Sequence, residues 1–201
     1  MVDSQLRARR ISDARILEAM LQVPRHEFVP ESFRDEAYED HPLPIGDGQT
    51  ISQPYVVAVM LNALQLTAND TVLEIGTGSG YVSALLAELA SQVFSIERHA
   101  ALASNARTVL TRLGYKNVRI FTGDGTLGLP GHAPFDAILV SAAALDVPSA
   151  LLSQLREGGR MVIPVGSPDS QQLQFIRKLN GQPVTSLRDS VRFVPLISER
   201  V

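Results

Sequence analysis

From Thr71 onward, short apolar runs alternate with stretches whose apolar residues recur every three or four positions. The runs Val72–Ile75, Val93–Glu97, Val118–Phe121, Ala137–Ser141 and Arg160–Val165 read as strands. Between several of them, Tyr81–Leu89, Ala100–Leu113 and Ser149–Leu155 read as helices, with Gly114 and Gly158 where helix C-caps would fall. Strand–helix alternation predicts right-handed βαβ crossovers and a parallel sheet. The nearly continuous apolar character of Ala137–Val140 fits strands covered on both faces.

The two ends follow other patterns. Ser12 is placed to cap a helix whose Ile16, Leu17, Met20 and Leu21 share one face, and Pro24 ends it. Residues 24–50 are rich in proline, glycine and acidic side chains and read as irregular, with a turn at Gly46-Asp47-Gly48. Pro54 suits the first position of a second helix, from Tyr55 to about Leu64. Near the C-terminus, Leu173–Leu179 and Pro183–Leu187 flank Asn180-Gly181, a hairpin pattern, and Val191–Leu196 reads as a further strand.

Composition narrows the function classes. The 201 residues fit one domain, 45% hydrophobic and 19% charged, as in an ordinary soluble globular protein. A formal net charge of −3 gives no basic field for nucleic acid, and Arg7, Arg9 and Arg10 read as a solvated helix face. The absence of cysteine excludes disulfides, thiolate metal sites and a cysteine nucleophile. His26, His41, His99 and His132 have no paired spacing, so no metal is expected. The first thirty residues lack a signal-peptide core and no apolar run would span a bilayer, so a cytoplasmic location without membrane contact is expected.

The strongest chemical signal is Val72-Leu73-Glu74-Ile75-Gly76-Thr77-Gly78-Ser79-Gly80-Tyr81, a strand, a glycine loop and a helix start. Glycine permits positive φ and close approach of a ligand, and the helix start offers free N–H groups. The spacing is G-x-G-x-G, unlike the dinucleotide fingerprint G-x-G-x-x-G, which disfavours a nicotinamide dehydrogenase. Glu97 ends the second strand, where an acid accepts ribose hydroxyls or is simply solvated. At Asp124, in Gly123-Asp124-Gly125, the carboxylate or the neighbouring backbone meets an adenine edge, or the segment makes an ordinary turn. Glu74 either pairs with a ligand ammonium or stabilises the loop. Together these acids describe one crevice at the carboxyl ends of the strands. A second cluster, Gly46 to Tyr55, sets hydroxyl and amide side chains before a helix. Ser52 or Gln53 caps that helix or serves a site, and no neighbouring His or Lys in sequence would activate Ser52 as a nucleophile.

The chain resembles the protein-L-isoaspartate (D-aspartate) O-methyltransferase family nearly end to end. The resemblance rests on Val23-Pro24-Arg25 with Phe28-Val29-Pro30, on Tyr38 with Pro42–Gly46, and on Gly48-Gln49-Thr50-Ile51-Ser52-Gln53-Pro54. It continues through Leu73–Tyr81, Glu97-Arg98, Leu113-Gly114-Tyr115, Gly123-Asp124-Gly125, Ala133–Ile138, Gly158-Gly159-Arg160, Pro164-Val165-Gly166 and Val191–Leu196.

The resemblance implies an α/β, Rossmann-like S-adenosylmethionine-dependent methyltransferase. Its mostly parallel, doubly wound sheet would carry an antiparallel C-terminal edge and an N-terminal helical extension. The expected divisions of this single domain are 1–70 for the extension with the active-site segment, 71–166 for the cofactor-binding core, and 167–201 for the hairpin and edge strand. Ser52 matches the family's active-site serine. Thr50, Ile51, Gln53, Leu145, Val191 and Phe193 are implied at the substrate. Glu74, Gly76, Thr77, Gly78, Ser79, Gly80, Glu97, Arg98, Asp124 and Gly125 are implied at S-adenosyl-L-methionine, whose product is S-adenosyl-L-homocysteine. The partners implied are peptides and proteins containing isoaspartyl residues, met by a monomer, with Val191–Leu196 as the edge that holds the peptide. Leu145 stands where the family usually has proline, which leaves peptide preference open. A carboxyl methyltransferase for another peptide or small molecule, and a non-catalytic S-adenosylmethionine-binding adaptor, remain alternatives.

Overall fold

A computed structural model describes residues 1–198. The last three residues of the expected C-terminal division lie outside the described residues. The core is a seven-stranded sheet in the order β5-β4-β3-β6-β7-β8-β9. Its strands are β3 (Thr71–Ile75), β4 (Gln92–Glu97), β5 (Val118–Thr122), β6 (Phe135–Val140), β7 (Leu155–Ser167), β8 (Ser170–Leu179) and β9 (Gln182–Val191). The pairs β3–β4, β4–β5, β3–β6 and β6–β7 are parallel, whereas β8 and β9 add in antiparallel fashion. The chain reverses its direction of travel across the sheet between β3 and β6, so the switch-point crevice opens there.

Side-chain alternation distributes the core to both faces. Val72, Val93, Ala137, Leu139 and Val162 pack in one cluster, while Leu73, Ile75, Phe94, Ile138, Val140 and Ile163 pack in the other. The helices α1 (Ala14–Gln22), α2 (Pro54–Leu64) and α3 (Tyr81–Leu89) contribute to the first cluster, and α5 (Ser149–Gln154) to the second. The remaining helix, α4 (Ala100–Arg112), ends on Gly114 at φ +87°, as its pattern predicts. Among the described residues, no helix is long and apolar enough to cross a membrane.

Several local expectations are corrected. Asp13, not Ser12, caps α1, accepting from Arg15 N at 2.9 Å and Ile16 N at 3.3 Å. Leu21 lies outside the core face at 59% exposure. The 24–50 stretch contains a small antiparallel pair, β1 (Leu43–Gly46) and β2 (Gln49–Ile51), around the Gly46–Gly48 turn. Gly158 is no helix cap: α5 stops at Gln154, and β7 already pairs Leu155 with Phe135. Arg9 is more than a solvated cation, since it stacks 3.3 Å from the Tyr55 ring centroid and pairs with Asp40 at 2.5 Å.

Val191–Leu196 is not a strand. β9 ends at Val191, and beyond it Pro195 makes an isolated parallel bridge with Ala143. Ala143 N donates to Val194 O at 2.8 Å, and Leu196 N donates to Ala143 O at 2.7 Å. The Gln171 side chain accepts from Phe193 N at 2.7 Å and donates to Phe193 O at 3.1 Å. A buried glutamine amide thus takes the place of a neighbouring strand.

Candidate active site

The glycine loop leaves β3 directly over the switch point. Gly76 N donates to Ile96 O at 2.8 Å, and Ser141 N donates to Ile75 O at 2.8 Å, so the two loops diverge from adjacent strand ends. Gly80 starts α3 at φ +91°, and a Cβ there would stand 3.1 Å from the Ala106 Cβ. Its role is therefore to seat α3 against α4. Gly76, Thr77, Gly78 and Ser79 line the cleft, with Ile75, Ile96, Glu97, Arg98 and His99 along one side. Gly125, Ser141, Leu196 and Ile197 close it. A Cβ on Gly125 would meet Ile75 Cγ2 at 2.4 Å, which explains glycine at that place.

Glu97 is 5% exposed and already engaged: it accepts from Gly78 N at 2.9 Å and from His99 N at 2.9 Å. A carboxylate offers about four acceptor positions, so two remain for hydroxyl donors. An acid set in a glycine cradle beside Ile75, Ile96 and Leu196 fits a nucleoside, with its diol on the carboxylate and its base against apolar side chains.

Glu74 does not reach that cleft. It is fully buried, where Ser83 Oγ and Ser95 Oγ donate to it, the latter at 2.7 Å. Ser95 Oγ in turn lies 2.5 Å from Thr77 Oγ1 in the cofactor loop. The loop-stabilising reading of Glu74 thus describes its place, and contact with a ligand ammonium does not. Burial pushes its carboxyl up from 4.5 to about 7. The native state therefore keeps this proton between those pH values while the unfolded chain releases it. The resulting stabilisation is fully present below about pH 4.5 and is lost as pH rises through about 7, a swing of up to about 3 kcal/mol. Glu74→Gln should remove that part of the slope. Urea unfolding at closely spaced pH values checks it, and identical slopes in both proteins would refute the assignment.

Asp124 makes the turn that its flanking glycines predict. Its carboxylate accepts from Thr126 N at 2.8 Å and Thr126 Oγ1 at 2.7 Å, and from Ser198 Oγ at 3.3 Å. It caps a short turn that presents Gly125 to the cleft.

A second depression adjoins the first and shares Thr50, Ser52, Ser141 and the 194–196 segment with it. Gln53, Leu145, Val191 and Phe193 line this groove, together with Gln171 and Pro168. Leu145 is 74% exposed there, an apolar side chain presented to solvent. Ile51 is buried and pairs with Leu43 between β1 and β2 while touching the cleft.

Neither Ser52 nor Gln53 caps α2 with its side chain. Gln53 occupies the cap position without a cap bond. Asp40 supplies the missing acceptor from a distant turn, accepting from Tyr55 N at 3.0 Å and Gln53 Nε2 at 2.8 Å. Asp40, Gln171, His99 and Ser141 are the site residues that sequence reading missed. Asp40 and Gln171 reach the site through tertiary contact, so no local spacing marks them, whereas His99, two residues past Glu97, and Ser141, directly after β6, stand at strand ends that the crevice reading already pointed to.

The comparisons agree with this geometry. The family model for protein-L-isoaspartate(D-aspartate) O-methyltransferase matches residues 1–201. A protein-L-isoaspartate O-methyltransferase of Koribacter versatilis is 58% identical over 200 residues, covering 100% of this chain and 90% of the relative. One from Syntrophus aciditrophicus is 57% identical over 203 residues, covering 99% and 93%. A solved protein-L-isoaspartate O-methyltransferase superposes with a TM-score of 0.90 at 31% identity, covering 98% of this chain and 66% of that one. The Plasmodium falciparum protein described as a putative member, solved in complex with S-adenosyl-L-homocysteine, gives 0.85 at 28% identity, covering 98% and 96%. With a glycine cradle and acid that suit the adenosyl cofactor, and a serine-lined groove opening beside them, this chain belongs to the protein-L-isoaspartate (D-aspartate) O-methyltransferase family, Rossmann-like S-adenosylmethionine-dependent enzymes that methylate isoaspartyl residues.

Proposed function

We propose that Ser52 orients the free α-carboxylate of an isoaspartyl residue at the junction of the cofactor cleft and the groove. The observation that carries this reading is that Ser52 lines both depressions while Asp40, not Ser52, caps α2. Glu97, Gly76, Gly78 and Gly125 would hold the cofactor, with Thr77, Ser79 and Arg98 beside them. When bound, S-adenosylmethionine supplies an electrophilic methyl group on a sulfonium sulfur.

The acceptor carboxylate is ionised at neutral pH, so its oxygen is a nucleophile without help from a general base. What the protein supplies is alignment, by a hydroxyl donor from Ser52 and by walls that hold the peptide. Ser52 acts as a hydrogen-bonding orienter, and no covalent intermediate is required of it. The ester so formed is open to attack by the following backbone nitrogen, because alkoxide leaves far better than oxide. Ring closure gives a succinimide, and its hydrolysis returns part of the material to normal aspartate.

The groove runs past Gln53, Leu145 and Phe193 toward β9, the outer strand on this side of the sheet. The peptide flanking the isoaspartyl residue would lie along it, with Leu145 favouring an apolar neighbour. Hydrogen exchange with and without an isoaspartyl peptide, both in S-adenosylhomocysteine, tests this placement. Protection should appear at residues 49–53 and 190–196, and protection confined elsewhere would move the substrate out of the groove. We further propose that the enzyme works as a monomer in the cytoplasm, which light scattering and cell fractionation test.

A further inference from the structure

We infer that Arg25 is a positioning residue that sets the active-site hydroxyl by fixing the backbone of Ser52. Arg25 is fully buried, an unusual place for a guanidinium. Burial lowers its pKa from the ordinary arginine value. It lies in a short turn, Arg25–Phe28, between Pro24 and Val29. Its Nη2 donates to Ser52 O at 2.8 Å, and its Nε donates to Ala37 O at 2.7 Å. The guanidinium lies over Tyr81, 4.8 Å from the ring centroid, and Phe28 packs edge-on to the same ring at 5.6 Å.

These contacts join three parts of the site. Tyr81 is the first residue of α3, directly after the glycine loop. Ala37 precedes the turn whose Asp40 holds Gln53 and Tyr55. Ser52 is therefore gripped on its own carbonyl by Arg25, while Asp40 holds the Gln53 side chain and the Tyr55 N–H just beyond it. With the carbonyl drawn inward, the Ser52 side chain is left to the cleft and groove that it lines. A buried charge tolerates little displacement, because moving it away from its carbonyl partners leaves it unpaired in a poorly solvated place. A neutral apolar residue of similar length would fill the volume without holding the carbonyl. Lysine would keep the charge but cannot reproduce the planar fork that serves Ser52 and Ala37 at once.

This inference rests on the reading of Ser52 as the orienting donor, and a double-mutant cycle separates the two. Arg25→Met, Arg25→Lys, Ser52→Ala and both double variants are compared for kcat at saturating isoaspartyl peptide and S-adenosylmethionine. Affinity for S-adenosylhomocysteine and Tm are recorded for each, and rates are taken well below the lowest Tm. In the Ser52 background, Arg25→Met should lower kcat by about tenfold or more, the scale of one charge-assisted hydrogen bond. In the Ser52→Ala background the same change should cost less than about threefold, because the hydroxyl it aims is gone. Arg25→Lys should recover part of the rate, and cofactor affinity should change little. Equal fold-losses in both backgrounds, or an undiminished kcat in folded Arg25→Met, would overturn the role of Arg25. If Arg25→Met does not fold, the Arg25→Lys cycle decides by the same criterion. Full activity in Ser52→Ala would instead overturn the reading of Ser52, and it shows in the single variant before the cycle is closed.

Discussion

Ser52→Ala is expected to lower turnover on an isoaspartyl peptide by about 10- to 150-fold, with cofactor affinity and Tm nearly unchanged. The magnitude is that of one hydrogen bond to a charged group, about 1.5–3 kcal/mol, lost from the transition state. Stability should hold because the N-terminus of α2 is satisfied by Asp40 at Tyr55 N, not by the serine. Had the serine been the cap, its loss would instead destabilise the protein by about 0.5–2 kcal/mol. Measuring at saturation in both substrates removes simple affinity effects. A fully active but destabilised variant would assign Ser52 to the helix and not to the substrate.

Glu97→Gln is expected to weaken S-adenosylhomocysteine binding by more than about tenfold. The carboxylate accepts from two backbone N–H groups, of Gly78 and His99. An amide has one oxygen, so its NH2 must face one of those donors, and the remaining acceptor capacity for ribose also falls. Each charge-assisted bond at stake is worth about 1.5–3 kcal/mol. Loop bracing and ribose contact are separated by repeating the titration with a 2′-deoxyribose analogue. The penalty should shrink for the analogue if Glu97 receives the sugar hydroxyls. An equal penalty for both ligands would leave Glu97 as a brace of the glycine loop alone, and an unchanged affinity would remove it from the cofactor site.

Much of the core was legible because parallel strands covered on both faces must be apolar throughout, as at Ala137–Val140, while their crossover helices keep a helical period. The glycine loop was legible because its spacing is local. The acids show where locality stops. Glu74 and Glu97 both look like strand-end carboxylates in the sequence, yet one is sealed and the other opens to the cleft. Register explains the difference: Glu74 lies opposite Ser95, inside the sheet, whereas Glu97 stands two residues farther along, where the crevice begins. No single segment carries that offset. The same holds for Asp40 and Gln171, which act on backbone groups distant in sequence. The Val191–Leu196 pattern was misread for a related reason. Its apolar residues are consistent with a strand, but the Gln171 amide and Ala143 claim its backbone first. The β1–β2 pair was missed because only a few residues form it, around a glycine turn.

Methylation of an isoaspartyl carboxylate beside Ser52 is open to a decisive assay. The most direct measurement is methyl transfer from S-adenosylmethionine to one peptide synthesised in isoaspartyl and in normal aspartyl form. Base-labile methyl ester is expected on the isoaspartyl peptide, followed by succinimide, with no comparable transfer to the aspartyl form. Equal rates on the two peptides, or transfer to neither by a folded protein that binds the cofactor, would contradict it.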